Sequence, residues 1–78
     1  MITCVDDFLC EIPGITSSIV FGYMGEHNQF PRYPSVLKLL KEEMKLYGLY
    51  WSKLSEKDRY EIDNMCRDAF YGMKEAGF

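Results

Sequence analysis

The chain has 78 residues, 47% of them apolar and 15% aromatic, with 12 acidic and 9 basic side chains and a formal charge of −3. That length supports one domain spanning 1–78, and a domain so small buries only about 60–65% of the surface its unfolded chain exposes. The apolar content excludes a disordered chain, and the acidic balance argues against a general binder of nucleic acid or anionic membranes.

Three scattered cysteines, Cys4, Cys10 and Cys66, lack the spacing of a disulfide framework and point to a reducing cytoplasm. No apolar run in the sequence approaches the roughly 20 residues needed to span a bilayer. Asp6 and Asp7 stand where a signal peptide would carry basic residues. The expectation is a soluble cytoplasmic protein with no membrane partner.

Taken in order, residues 3–12 read as a short helix, with Val5, Phe8 or Leu9, and Ile12 on one face. Thr3 with Asp6 is a candidate cap, and Asp6 and Asp7 suit the positive end of the helix dipole. Pro13-Gly14 is expected to end it, and a strand over 2–5 is the competing assignment. Residues 15–24 are ambiguous. Ile15, Ile19 and Tyr23 keep a helical interval, but Ile19-Val20-Phe21-Gly22-Tyr23 also suits a buried strand. Helix is preferred, because one strand would lack a pairing partner.

Residues 25–34 read as a loop. Pro31 and Pro34 push Phe30 and Tyr33 towards extended backbone, and both rings are expected to anchor the loop. A second helix spans 35–47, capped by Ser35, with Val36, Leu40, Met44 and Tyr47 as its stripe and Gly48 at its end. Lys38 with Glu42, and Glu42 with Lys45, are pairs worth about 0.2–0.5 kcal/mol each. Tyr50, Trp51 and Leu54 in the following link are expected to plug the end of a helical hairpin. The last helix spans 55–76. Ser55 and Asp58 form an aspartate version of the capping box. Ile62, Cys66, Ala69 and Met73 make its apolar face, flanked by Met65 and Phe70, and Gly77 closes it. Gly72 inside this helix predicts the close approach of a neighbour. The fold class is therefore all-α: a bundle of three to four helices, with 35–47 and 55–76 as an antiparallel hairpin crossed by the first 24 residues.

Charge is unevenly spread. Residues 1–31 hold four acids and no Lys or Arg, whereas 32–59 hold seven bases against four acids. Cys4, Cys10, Cys66 and His27 are a formal metal set, but none forms the close pair that structural zinc sites use. No cofactor is implied. A small enzyme using His27 and a cysteine would need side chains that the sequence does not bring together. Lys38, Lys41 and Lys45 share one helix face. With Arg32 they form the candidate nucleic-acid surface, which the intervening Glu42 and Glu43 disfavour. Aromatic and methionine residues crowd the second half of the chain, through to Phe78.

Such residues are enriched at binding surfaces. The preferred expectation is a non-enzymatic module that occupies a protein partner. It would use an aromatic face of Tyr50, Trp51, Tyr60 and Tyr71 and an acidic N-terminal surface of Asp6, Asp7 and Glu11. By analogy of size and charge alone, it would be an inhibitor or modulator of viral or mobile-element type. A second copy of the chain is a further candidate partner.

Overall fold

The computed structural model describes residues 2–77. Three helices, α1 (Val5–His27), α2 (Tyr33–Lys45) and α3 (Glu56–Glu75), make up the domain, with a 3-10 turn, Trp51–Lys53, leading into α3. The described residues contain no strand, so the all-α bundle expected from periodicity is what forms. Phe78 and its expected role lie outside the described residues.

α1 departs most from the expectation. The segments 3–12 and 15–24 are one unbroken helix of 23 residues, and Pro13 lies inside it. Proline there removes the N–H that would reach the carbonyl of Leu9, at a cost of about 3 kcal/mol. Phe8, Ile12, Thr16 and Val20 are all fully buried on one side of the helix. Each large apolar side chain in that row contributes about 1.5–3 kcal/mol. Breaking the helix at Pro13 would remove half of them from the core, so burial overrides the proline. Pro13 and Gly14 themselves are exposed.

Thr3 does not bond Asp6. Its N–H and hydroxyl both donate to Oδ2 of Asp7, at 3.2 and 2.9 Å, and Cys4 is the cap residue. The helix also runs past Gly25 and stops at Asn28, which is left-handed (φ 56, ψ 30) and donates its N–H to the carbonyl of Met24. At about 1.5 Å per residue α1 is roughly 34 Å long, which matches the 33 Å long dimension of the molecule. The fused helix is long and apolar enough to cross a membrane by length and composition. That corrects the expectation that no stretch approaches this size. Pro13-Gly14 divides the apolar residues into two short runs in the sequence, but the helix passes through the pair and joins them.

α2 begins two residues before Ser35, with Arg32 as cap residue and Pro34 in the first turn. Proline suits that turn, where N–H groups have no intrahelical partner. Tyr33 is accordingly helical rather than extended, and Ser35 caps nothing. At the far end Leu49 N–H bonds the carbonyl of Met44, and Gly48 N–H bonds that of Lys45. Gly48 has φ 76. These are the paired bonds of a Schellman ending, in which only glycine avoids a penalty for the left-handed residue. α3 forms as expected: Ser55 Oγ accepts from Asp58 N–H at 3.1 Å, and Gly77 is left-handed at φ 87.

The core repeats every four residues on all three helices. Phe8, Ile12 and Val20 of α1 meet Val36, Leu40 and Met44 of α2 and Ile62, Cys66 and Phe70 of α3. Rows of this kind are the ridges that interdigitate between helices. Phe70, expected at the flank of α3, is in the core, whereas Ala69 and Met73 are half-buried. Tyr47 is exposed, with its ring 6.1 Å from that of Phe8. Tyr33, opening α2, meets Phe70 and Tyr71 near the end of α3, so these two helices run antiparallel. The largest interface is nonetheless between α1 and α3.

Gly72 has no close neighbour: a Cβ added there would meet nothing within 4 Å. The expected helix approach is absent, and the glycine is simply costly. Gly72→Ala should therefore raise stability by about 0.5–1 kcal/mol. Thermal denaturation should show a rise in midpoint of a few degrees. Pro13→Ala should move stability in the same direction by a larger amount.

Candidate functional site

The arrangement with most chemical content is a groove of about 310 Å³ between α2 and the Trp51–Lys53 turn. Lys38, Lys41, Glu42 and Lys45 form one wall, and Tyr50, Trp51 and Ser52 form the other. The three lysines line up because intervals of three and four residues keep them on one side of α2. They lie opposite the buried row of Val36, Leu40 and Met44. Lys41 Nζ sits 4.4 Å from the Trp51 ring centre, and Lys53 Nζ lies 5.6 Å from that of Tyr50. Cations over aromatic faces are attracted by the ring quadrupole.

The turn is fixed from α3. Arg59 donates through Nε to the carbonyl of Trp51 and through a terminal guanidinium nitrogen to that of Ser52, both at 2.9 Å. Lys45 pairs with Glu42 at 3.3 Å, whereas the expected pair of Lys38 with Glu42 is not formed. Lys38 has no acidic partner among the described residues.

The remaining expected site residues disperse. Arg32 lies apart from the lysine row, in a hollow with Pro31, Tyr71 and Lys74. Tyr60 is exposed on α3. Tyr71 stacks on Tyr33 at 6.2 Å and belongs to the cluster holding the start of α2. Tyr50 and Trp51 therefore share a site, and Tyr60 and Tyr71 lie elsewhere. Asp6 and Asp7 occupy the first turn of α1, and the Thr3 hydroxyl bond holds the Asp7 carboxyl below its usual range. Glu11 is on a different groove, between α1 and α2.

The His27 ring packs against that of Tyr23 at 4.2 Å, tilted by 38°, and lies 3.8 Å from Glu26. Cys10 is 17 residues before it on the same helix, about 25 Å away at the usual rise. Cys66 is buried against Thr16, whose hydroxyl donates to Sγ at 3.6 Å. Among the described residues no group of three His, Cys, Asp or Glu side chains could hold a metal ion.

The loop anchors behave as expected. Phe30 and Tyr33 both pack on Phe70, at 5.4 and 5.5 Å. Tyr33 also donates its hydroxyl to Oδ1 of Asp63 at 2.5 Å, and Arg67 reaches Oδ2 of the same carboxylate at 3.3 Å. Burial, and then the bond to Asp63, push the Tyr33 phenol far above its ordinary value. Burial likewise pushes the Cys66 thiol up. Sequence reasoning missed Arg59, because a bond to backbone carbonyls seven and eight residues back leaves no periodic trace.

Compared with protein-family models, curated proteins and solved structures, the chain gives no match. What the groove can do is therefore read from its own chemistry.

The raised phenol and thiol have a pH consequence. Both groups hold their protons more tightly when folded, so their contribution is complete below the unfolded values of 10.0 and 9.0. It is lost as pH climbs past those values. Urea titrations should show stability falling above pH of about 9. In Tyr33→Phe the decline should be shallower, and stability at neutral pH lower by about 1 kcal/mol.

Proposed function

We propose that the chain is a non-enzymatic protein-binding module that receives an acidic segment of a partner protein in the groove of Lys38, Lys41, Lys45, Tyr50 and Trp51. The observation that carries this reading is the meeting of a net-cationic wall, three lysines with Glu42 paired to Lys45, and an aromatic wall in one groove whose turn is pinned by Arg59. Fixing the platform in advance lowers the ordering cost of binding. Lysines on the rim select and steer an anionic partner, while the aromatic rings supply apolar contact. The module would act by occupancy, as a stoichiometric inhibitor or modulator.

The charge distribution favours a short acidic segment over a long polyanion. From Lys38 to Lys45 is about 10 Å along the helix, enough for a few residues of an extended peptide. Beyond the groove a polyanion would meet an acidic protein of net charge −3. A second reading, single-stranded nucleic acid, is favoured by one feature: lysines beside stacking rings also suit bases and phosphates. Three phosphate contacts would give a slope of about −2 in log affinity against log salt.

Tyr50 is the residue to change, because it is 45% exposed and its loss leaves the core intact. Tyr50→Ala should weaken partner retention at least about tenfold, or 1.4 kcal/mol. Its thermal midpoint should stay within a few degrees of the parent. The check is affinity capture from nuclease-treated lysate at low and high salt, with wild type and Tyr50→Ala side by side. Equal retention by both proteins sinks the groove reading. Recovery seen only from a parallel lysate left untreated with nuclease replaces it with the nucleic-acid one.

A further inference from the structure

The hollow that holds Arg32 has a volume of about 400 Å³ and lies where the start of α2 meets the end of α3. Four rings make its apolar part. Phe30 and Tyr33 pack on Phe70 at 5.4 and 5.5 Å, and Tyr71 meets Phe70 edge-on at 5.0 Å. Tyr71 is 42% exposed, so one ring of the cluster stays open to solvent. Arg32 and Lys74 also line the hollow, and neither has an ion-pair partner among the described residues. The groove contains Glu42, and the hollow between α1 and α2 contains Glu11 and Glu43, but no described carboxylate lines this one. The Tyr33 hydroxyl is turned to Asp63. What remains is ring surface beside uncompensated positive charge, which suits an aromatic side chain next to a carboxylate.

Its position ties it to the groove. Pro34 lines the hollow, and Lys38, one turn further along α2, lines the groove. Pro34, Lys38, Lys41 and Lys45 follow at intervals of four, three and four residues, which keeps them on one side of the helix. Along the axis Lys38 is about 6 Å and Lys45 about 17 Å from Pro34. An extended segment covers those spans in about two and five residues. We propose that the hollow is a second subsite for the acidic segment of the partner, and that it takes an aromatic side chain of that segment. The residue on the far side of the ring carries a carboxylate, which faces Arg32 and Lys74. On the near side, after one spacer, the acidic run begins over Lys38. This inference rests on the reading of the groove as the seat of an acidic segment, and it adds the anchor that sets the segment's register. Charge alone steers a segment onto the lysines, whereas a ring in a pocket fixes where it stops.

The test is isothermal titration calorimetry on the full chain at about 0.15 M salt, where remote charges are screened. The probes are two capped peptides, Asp-Phe-Gly-Asp-Glu-Asp-Asp and a control with glycine in place of its Asp-Phe pair. Each is also made in reversed order, since the segment can run either way along α2. In one direction the ring-bearing peptide should bind wild type about tenfold tighter than its control. Tyr71→Ala, and separately Arg32→Ala/Lys74→Ala, should cut that ratio below about threefold and leave the affinity for the control peptide unchanged. Circular dichroism checks folding. Arg32 and Lys74 are exposed and unpaired, so the double variant tests the hollow even where loss of Tyr71 unfolds the chain. Equal binding of ring-bearing and control peptides in both directions overturns the second subsite and leaves the groove reading standing. A preference that survives in the folded variants overturns it as well. Failure of every peptide to bind overturns both readings together.

Discussion

The row of Phe8, Ile12, Thr16 and Val20 along α1 is the constraint from which the rest of the fold follows. It is the longest buried row among the described residues and the one that runs past a mid-helix proline. Because it must stay continuous, α1 spans the full length of the domain, and the other two helices are laid against it. Thr16, the one fully buried polar residue among those described, keeps its place by donating to the Cys66 sulfur. A buried hydroxyl without a partner would cost about 1–3 kcal/mol, so this contact also fixes how α1 meets α3.

Where local chemistry and burial point the same way, the sequence is a good guide. Ser55, Gly48 and Gly77 begin or end helices as their types require, and the four-residue rows of α2 and α3 are legible from residue spacing alone. Where the two conflict, the local signal misleads. Pro13-Gly14 looks like a stop, yet the buried row on either side of it outweighs the missing hydrogen bond. Gly72 looks like a packing contact, yet it faces open space. Ser35 looks like a cap, yet Pro34 lets the helix begin earlier, and Tyr33 is recruited into it by Phe70 and Asp63.

The candidate site is legible in its parts and not in its assembly. Lys38, Lys41 and Lys45 share a face by helical spacing alone. Tyr50 and Trp51 are conspicuous as rings in a short link. Nothing in the sequence puts the two sets together, because the turn's position is fixed by Arg59 reaching back from another helix. The same limit explains why Tyr60 and Tyr71, which look equivalent in sequence, divide between open surface and the Tyr33 cluster. The uneven charge along the chain becomes an uneven charge around α2, with three lysines and Glu42 lining one groove and Glu43 bordering another.

The chain has a single tryptophan, and it forms a wall of the candidate groove with the Lys41 ammonium 4.4 Å from its ring centre. Anything that enters against that face must move the ammonium or share the ring with it, and either event changes the electric field across the indole. Indole emission responds to such fields. The protein thus carries an intrinsic optical reporter in the wall of the candidate groove, with no second tryptophan to dilute the signal and no label to perturb the site.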